Sequence, residues 1–250
     1  MHLRLIPLAF ALALALPSRG TDDSPVTLRQ NWKTASRYAA SHREAWQKVW
    51  NAYDVAPDVA ESVIFPELVR YNFWQDMAEV SAVENGYIPH GTEGCDYSIG
   101  RFQMKPSFIE DLERRWMRSG LADRYGLSFD TADTEAARQA RFDRLCSEDG
   151  QAVYLAVYLR MLYLDYGSRD RDGNIVQEGL DALPPAEQAY LAGTAYNHGT
   201  LWRSPGTGNL DRIRSVAAEQ TFPLPNLFRT RMRCYSYGDL AARHYAQAFQ

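Results

Sequence analysis

Three cysteines in 250 residues are too few for a disulfide framework. Cys95, Cys146 and Cys234 allow at most one intrachain bridge and leave a thiol over, and none of their spacings suits a zinc site. The sequence admits either one bridge or three inert buried thiols. No Gly/Ser/Pro-rich linker divides the chain, so a single domain is expected. No apolar run is long enough to cross a bilayer as a helix. Internal repeats and low-complexity tracts are lacking, and so is the strict apolar–polar alternation of half-buried strands. Nor is there an excess of positive charge: 27 Lys and Arg stand against 31 Asp and Glu, a net charge of −4. An acidic chain is poorly suited to neutralising phosphates, so no nucleic-acid partner is expected. Apolar residues are plentiful, at 46% of the chain with 12% aromatic against 23% charged. That composition excludes a disordered or collagen-like chain.

Residues 1–20 have a composition of their own: His2 and Arg4, an apolar run from Leu5 to Leu16, then Pro17, Ser18, Arg19 and Gly20. This is the pattern of a secretory signal peptide, which predicts export to the periplasm or the medium and no integral membrane segment after cleavage. No cysteine lies near the expected cleavage point, so a lipid anchor is not indicated. Removing the segment takes away Arg4 and Arg19 and no acid, moving the net charge from −4 to −6. The remainder divides into an N-terminal helical segment, 21–54, and a main domain, 55–250.

Apolar residues recurring at three and four predict helix through most of the chain. Helices are expected over 29–53, 57–72, 74–86, 106–119, 133–147, 150–166, 185–196, 210–219 and 237–249, an all-α fold. Pro57, Pro106 and Pro185 sit at or near predicted helix starts, where a missing N–H does no harm. The stretch Ala152–Leu164, broken only by Arg160, is apolar nearly all round and belongs in the middle of a bundle. Segments 87–103 and 197–209, rich in Gly, His, Asn, Ser and Thr, read as loops, where chemistry is usually placed on a helical scaffold. Residues 168–175 look like the front of a calcium-binding EF-hand loop, with Gly173 at position six. Ser168 at position one and Gly179 at position twelve make a turn the better reading, and no metal is expected.

Three patches carry candidate chemistry. In the first, Ala60, Val63, Ile64, Glu67, Leu68 and Tyr71 share one helical face, which puts a carboxyl on the stripe expected to be buried. Lost hydration raises the pKa of such a group, as a general acid at neutral pH requires. Two plainer readings compete: a surface pair between Glu67 and Arg70, or a Glu that follows Pro66 in a first helical turn, where the helix dipole would stabilise the anion. In the second, Phe73, Met77, Val80, Glu84 and Tyr87 form another apolar face bearing a carboxyl. Sixteen residues after Glu84 comes Gly100-Arg101-Phe102-Gln103-Met104-Lys105-Pro106. The third is Ala195-Tyr196-Asn197-His198-Gly199, a helix end with Asn197 or Gly199 as the left-handed capping residue.

Gly-Arg-Phe-Gln-Met-Lys-Pro-Ser resembles the Gly-Leu-Met-Gln-x-x-Pro motif of soluble lytic transglycosylases and goose-type lysozymes. Ala-Tyr-Asn-His-Gly is similar to their Ala-Tyr-Asn-x-Gly motif. The resemblance covers roughly residues 55–205, with the motifs in the family's order. The family carries its acid in a Glu-Ser pair ahead of both motifs, whereas here Glu67 precedes Leu68 and Glu84 precedes Asn85. Glu84 has the better downstream match, Glu-Asn-Gly-Tyr-Ile-Pro against the family's Glu-Ser-Gly-Phe-Asn-Pro. Glu67 has the better upstream match, ten residues after Pro57 and behind the deeply apolar Val63-Ile64-Phe65, and is the first candidate. With Glu67 as the acid, residues 73–97 are a helix and loop inserted into the family's pattern.

The resemblance implies a lysozyme-like domain that acts on peptidoglycan glycan strands at the β-1,4 bond between N-acetylmuramic acid and N-acetylglucosamine. One Glu would protonate the leaving oxygen and then, as a carboxylate, take the proton of the muramoyl 6-hydroxyl, closing a 1,6-anhydro ring. A hydrolytic muramidase with two carboxyls and a non-catalytic peptidoglycan-binding scaffold are the alternatives. Gln103 and the backbone after Gly100 would contact the sugar, Tyr196 would hydrogen-bond near the acid, and Asn197 would hold the loop or an acetamido group. Tyr87 and Phe102 would either stack on sugars or pack in the core. The reaction needs no metal or organic cofactor.

Overall fold

The computed structural model describes residues 25–169, 175–177, 179–199, 206–219, 222–224 and 233–250. The expected signal peptide and the middle of the EF-hand-like stretch lie outside the described residues. The elements in chain order are α1 (Pro25–Ala52), α2 (Pro57–Arg70), α3 (Phe73–His90), α4 (Pro106–Arg118), α5 (Leu121–Tyr125), α6 (Glu135–Cys146) and α7 (Glu148–Tyr166). After these come β1 (Ser168–Arg169), β2 (Ile175–Gln177), α8 (Pro185–His198), α9 (Leu210–Glu219), β3 (Phe222–Leu224), β4 (Arg233–Tyr235) and α10 (Tyr237–Phe249). The fold is all-α. Among the described residues the strands are two antiparallel pairs of two or three residues each, β1 with β2 and β3 with β4.

Helix α7 is the axis, as its all-round apolarity predicts: residues from Ala152 to Tyr166 are buried almost without interruption. Around it pack α1, α4, α6 and the side of α2, while α2, α8 and α10 form a second tight group. Helix α1 enters the same core through Ala35, Ala39, Trp46 and Trp50, which recur at helical spacing. The Trp50 indole donates to the Ala152 carbonyl of α7 at 3.1 Å, satisfying its buried N–H. Two buried carboxylates of this core, Glu113 and Asp165, are paired. Glu113 accepts from Arg141 Nε at 2.8 Å and from the Tyr154 hydroxyl at 2.6 Å, and Arg115 holds Asp165 through both carboxylate oxygens.

Prolines 57, 106 and 185 each open a helix. Several boundaries differ from the sequence reading, α1 starting four residues early at Pro25, and the short α5 has no counterpart in it; the ends of α3 and α8 bear on the candidate patches. Helix α3 runs four residues beyond its expected end, through Tyr87, Ile88 and Pro89 to His90, because Tyr87 and Ile88 are buried and Arg138 caps the helix. The Arg138 guanidinium donates to the carbonyls of Ile88 at 2.7 Å and Pro89 at 3.2 Å, replacing the intrahelical donors that the last turn lacks. Helix α8 likewise continues to His198 and stops at Gly199, whose φ of +80° supplies the left-handed cap. Cys95 and Cys146 are both free, one half-buried and one exposed, so neither the bridge nor the set of three buried thiols is formed. Among the described residues no helix is long and apolar enough to cross a membrane.

Candidate active site

Helix α2 contains Pro66 in its interior, so Glu67 lies in its last turn and not in a first one. There the negative end of the helix dipole disfavours an anion, the reverse of the stabilisation an N-terminus would give. Glu67 is only 4% exposed. Arg70 Nη2 stands 2.9 Å from Oε2, an ion pair made to a buried carboxyl oxygen. The pair exists, then, but as a buried acid beside a half-buried base. Burial pushes the Glu67 carboxyl up to about 7, against the opposing pull of Arg70. No other charged group acts on it among the described residues.

The Gly100 turn is built by two left-handed residues, Gly100 at φ +76° and Gln103 at φ +52°, between Ile99 and Met104, which exchange backbone hydrogen bonds at 3.0 and 3.2 Å. Three side chains from distant segments fix it. Asp76 Oδ1 of α3 accepts from the Gly100 N–H at 2.7 Å. The buried Gln151 of α7 accepts from the Phe102 N–H at 2.8 Å and donates to the Leu145 carbonyl at 2.6 Å. The Tyr196 hydroxyl of α8 donates to the Phe102 carbonyl at 2.6 Å. A Cβ on Gly100 would lie 1.8 Å from Gln151 Nε2, so only glycine fits there.

These contacts bring three of the sequence patches together. Burial, and after it the Glu67 charge, hold the Tyr196 hydroxyl well above its usual range, so Tyr196 lies within electrostatic reach of the acid while its proton goes to the Gly100 turn. The hydrogen bond expected near the carboxyl is therefore made to Phe102. Gln103 is half-buried and its amide donates back to the Gly100 carbonyl at 2.9 Å. Asn197 is half-buried in the last turn of α8. Glu84 is not brought in. It is exposed, because only the C-terminal half of the Phe73–Tyr87 stripe is covered, and it is not among the charges acting on Glu67 or Tyr196. Tyr87 and Phe102 are core residues: Tyr87 donates to Glu110 at 2.9 Å, and Phe102 packs edge-on against Trp46.

Sequence reading misses Asp76, Gln151 and Glu79. Asp76 also accepts from the Tyr71 hydroxyl at 2.9 Å, and burial followed by that bond pushes the phenol up to about 12. Next to it, the Arg101 guanidinium lies between the rings of Tyr71 and Tyr38, 3.7 and 4.4 Å from their centres. Gln151 carried one usable signal, a lone amide at the head of an otherwise apolar helix; Asp76 carried none, since an acid in a first helical turn is ordinary, and neither did Glu79 in the turn after it. A separate polar cleft of about 350 Å³, lined by His90, Glu93, Glu110, Arg114, Asp133 and Arg141 among others, contains none of the candidate residues. Among the described residues no three His, Cys, Asp or Glu side chains gather as a metal site. Comparison of the chain with known protein families, with curated proteins and with solved structures finds no match.

Proposed function

We propose that this chain is an exported, lysozyme-like peptidoglycan lytic transglycosylase in which Glu67 is the single acid. The observation that carries the reading is the junction of three patches: a buried carboxyl in α2, the Tyr-Asn end of α8 within its electrostatic reach, and the Gly-x-x-Gln turn bonded to that end. A group held near 7 is protonated often enough at neutral pH to give its proton to a glycosidic oxygen. Arg70, at 2.9 Å, then stabilises the carboxylate that remains. That carboxylate takes the proton of the muramoyl 6-hydroxyl as its oxygen bonds to the anomeric carbon, which restores the acid without water.

The test is digestion of purified sacculi with analysis of the soluble products by mass. Ends lighter by one water than reducing ends are expected. Glu67→Gln is expected to lower the rate by a factor of about 10² to 10⁴ with the fold kept, and Glu84→Gln to leave it nearly unchanged. Reducing ends alone would make the protein a muramidase, and sacculi bound without release would make it a scaffold.

A further inference from the structure

Nothing within α2 keeps Arg70 on Glu67. The two lie three residues apart in the last turn of the helix, and their ion pair is an i,i+3 contact at 2.9 Å. Pairs of that kind are marginal by themselves, because a long, rotamer-rich side chain gains little by staying in one place. The Arg70 side chain keeps 30% of its surface exposed, so water competes for it. Glu79 of α3 competes as well: Arg70 acts on its carboxyl, and Glu79 Oε2 is a buried oxygen without a hydrogen-bond partner.

What holds the arginine comes from the far end of the chain. Its guanidinium lies over the ring of Phe222, 4.7 Å from the ring centre, within the range of a cation–π contact. Phe222 opens β3, is wholly buried and is itself fixed. It meets Tyr237 edge-on at 4.8 Å between ring centres, and strand pairing sets it opposite Tyr235, two residues before Tyr237. The Tyr237 hydroxyl in turn donates to the Val63 carbonyl at 2.9 Å, one turn ahead of Glu67 on α2. A chain of contacts therefore leaves α2 at Arg70, passes through Phe222 and Tyr237, and returns to α2 at Val63. Tyr196 of α8 and Tyr237 of α10 are the titratable groups that Glu67 acts on from other helices, and burial keeps both phenols protonated and uncharged at neutral pH. Arg70 is the charge that acts on Glu67 among the described residues, so its position decides how far the carboxylate is stabilised.

We propose that Phe222 is a positioning residue for Glu67: its ring holds the Arg70 guanidinium on the carboxyl, so that the β3–β4 pair, and not α2 alone, sets the charge the acid feels. The consequence for catalysis rests on the function proposed above, whereas the coupling of Phe222 to Glu67 does not. In the reaction the ring acts once the proton has left, keeping the cation beside the carboxylate until a proton returns.

The Glu67 carboxyl is titrated by carbon magnetic resonance in the full-length protein, its signal identified by its absence from Glu67→Gln. Phe222→Leu keeps an apolar cover over the pair and removes the ring. A trifluorinated phenylalanine at the same position keeps the shape of the ring and removes its negative face, so it reads the cation–π contact even where Phe222→Leu disturbs the fold. Each is expected to move the Glu67 midpoint upward by about half to one pH unit, as the carboxylate loses hold of its cation. In an Arg70→Gln background neither should move it further. A midpoint that the fluorinated ring leaves in place overturns the proposal. So does a downward shift, which would make Phe222 a shield against water, and so does a shift that persists without Arg70. Digestion of sacculi separates the two ideas, since its basic limb should follow the midpoint. A Phe222-dependent midpoint in a protein that cleaves nothing removes the enzyme reading alone, and cleavage with an indifferent midpoint removes the positioning role alone.

Discussion

Glu67 couples stability to the proposed chemistry. Its carboxyl is raised from an ordinary 4.5 to about 7 by burial, so the folded state holds a proton that the unfolded chain gives up. The stabilisation of the protonated form is present in full below pH 4.5 and is lost as pH rises through 7. A shift of that size corresponds to about 3 kcal/mol. Glu67→Gln mimics the protonated side chain, so it is expected to be more stable than the native protein by up to about 3 kcal/mol at pH 8, with the difference vanishing near pH 4. Urea unfolding at both pH values checks this. A Glu67→Gln protein that is less stable, relative to the native protein, at pH 8 than at pH 4 would mean that Arg70, and not burial, governs the carboxyl. The same ionisation predicts a basic limb near pH 7 in the rate of sacculus digestion.

At the scale of elements, the Gly100 turn is a junction of four helices. Side chains of α3, α7 and α8 hold two consecutive stretches of its backbone, and α4 begins three residues after Gln103. Gly100→Ala meets two obstacles, the left-handed φ and the Gln151 amide, and displacing that amide leaves the buried Phe102 N–H without its acceptor. A loss of about 2 to 4 kcal/mol is expected from strain and the broken bond together. Adding Gln151→Ala should recover little of it, since the space returns but the acceptor does not. Tyr196→Phe tests the same junction from α8: it leaves the Phe102 carbonyl buried without a donor, and should cost about 1 to 2 kcal/mol in a thermal melt.

For the molecule as a whole, α1, α2 and α10 meet at a buried ionic cluster away from Glu67. Arg43 donates to both oxygens of Glu61 at 2.7 Å, His244 Nε2 lies 3.0 Å from Glu61 Oε1, and the His244 ring stacks on Phe65 at 3.6 Å. Burial pushes Glu61 up, but Arg43 and His244 outweigh it and hold the carboxyl below its usual range. Burial holds His244 below 6.5 in spite of Glu61. Both folded values are depressed, so both contributions are present above the unfolded values and are lost as pH falls, His244 first below 6.5 and Glu61 below 4.5. In the Glu67→Gln protein, which lacks the opposing Glu67 titration, the melting temperature is therefore expected to decline on the acid side from about pH 6. Arg43→Ala should cost about 3 kcal/mol by leaving a buried carboxylate short of its main partner. Reductant, by contrast, should leave the melt unchanged, because Cys95 and Cys146 are free and no bridge ties distant parts of the chain together.

How much of this was legible in the sequence follows from how local each feature is. Periodicity and proline placement located the helices, the buried axis α7 and the carboxyl on the apolar stripe of α2, because these depend on residues three or four apart on one segment. The end of α3 was not legible, since an arginine fifty residues away caps it. Nor was the exposure of Glu84. An apolar stripe records what a helix face can bury, not whether another element covers it, and the stripe shared by Glu84 is left open at Phe73 and Met77. The bonds of Asp76, Gln151 and Tyr196 to one turn join residues 24, 49 and 94 positions apart. The chain by itself determined which segments coil and which faces are apolar; only the tertiary structure decided which carboxyl is buried. Desolvation and hydrogen bonding are set by what packs alongside a group, and those neighbours come from the far ends of the chain.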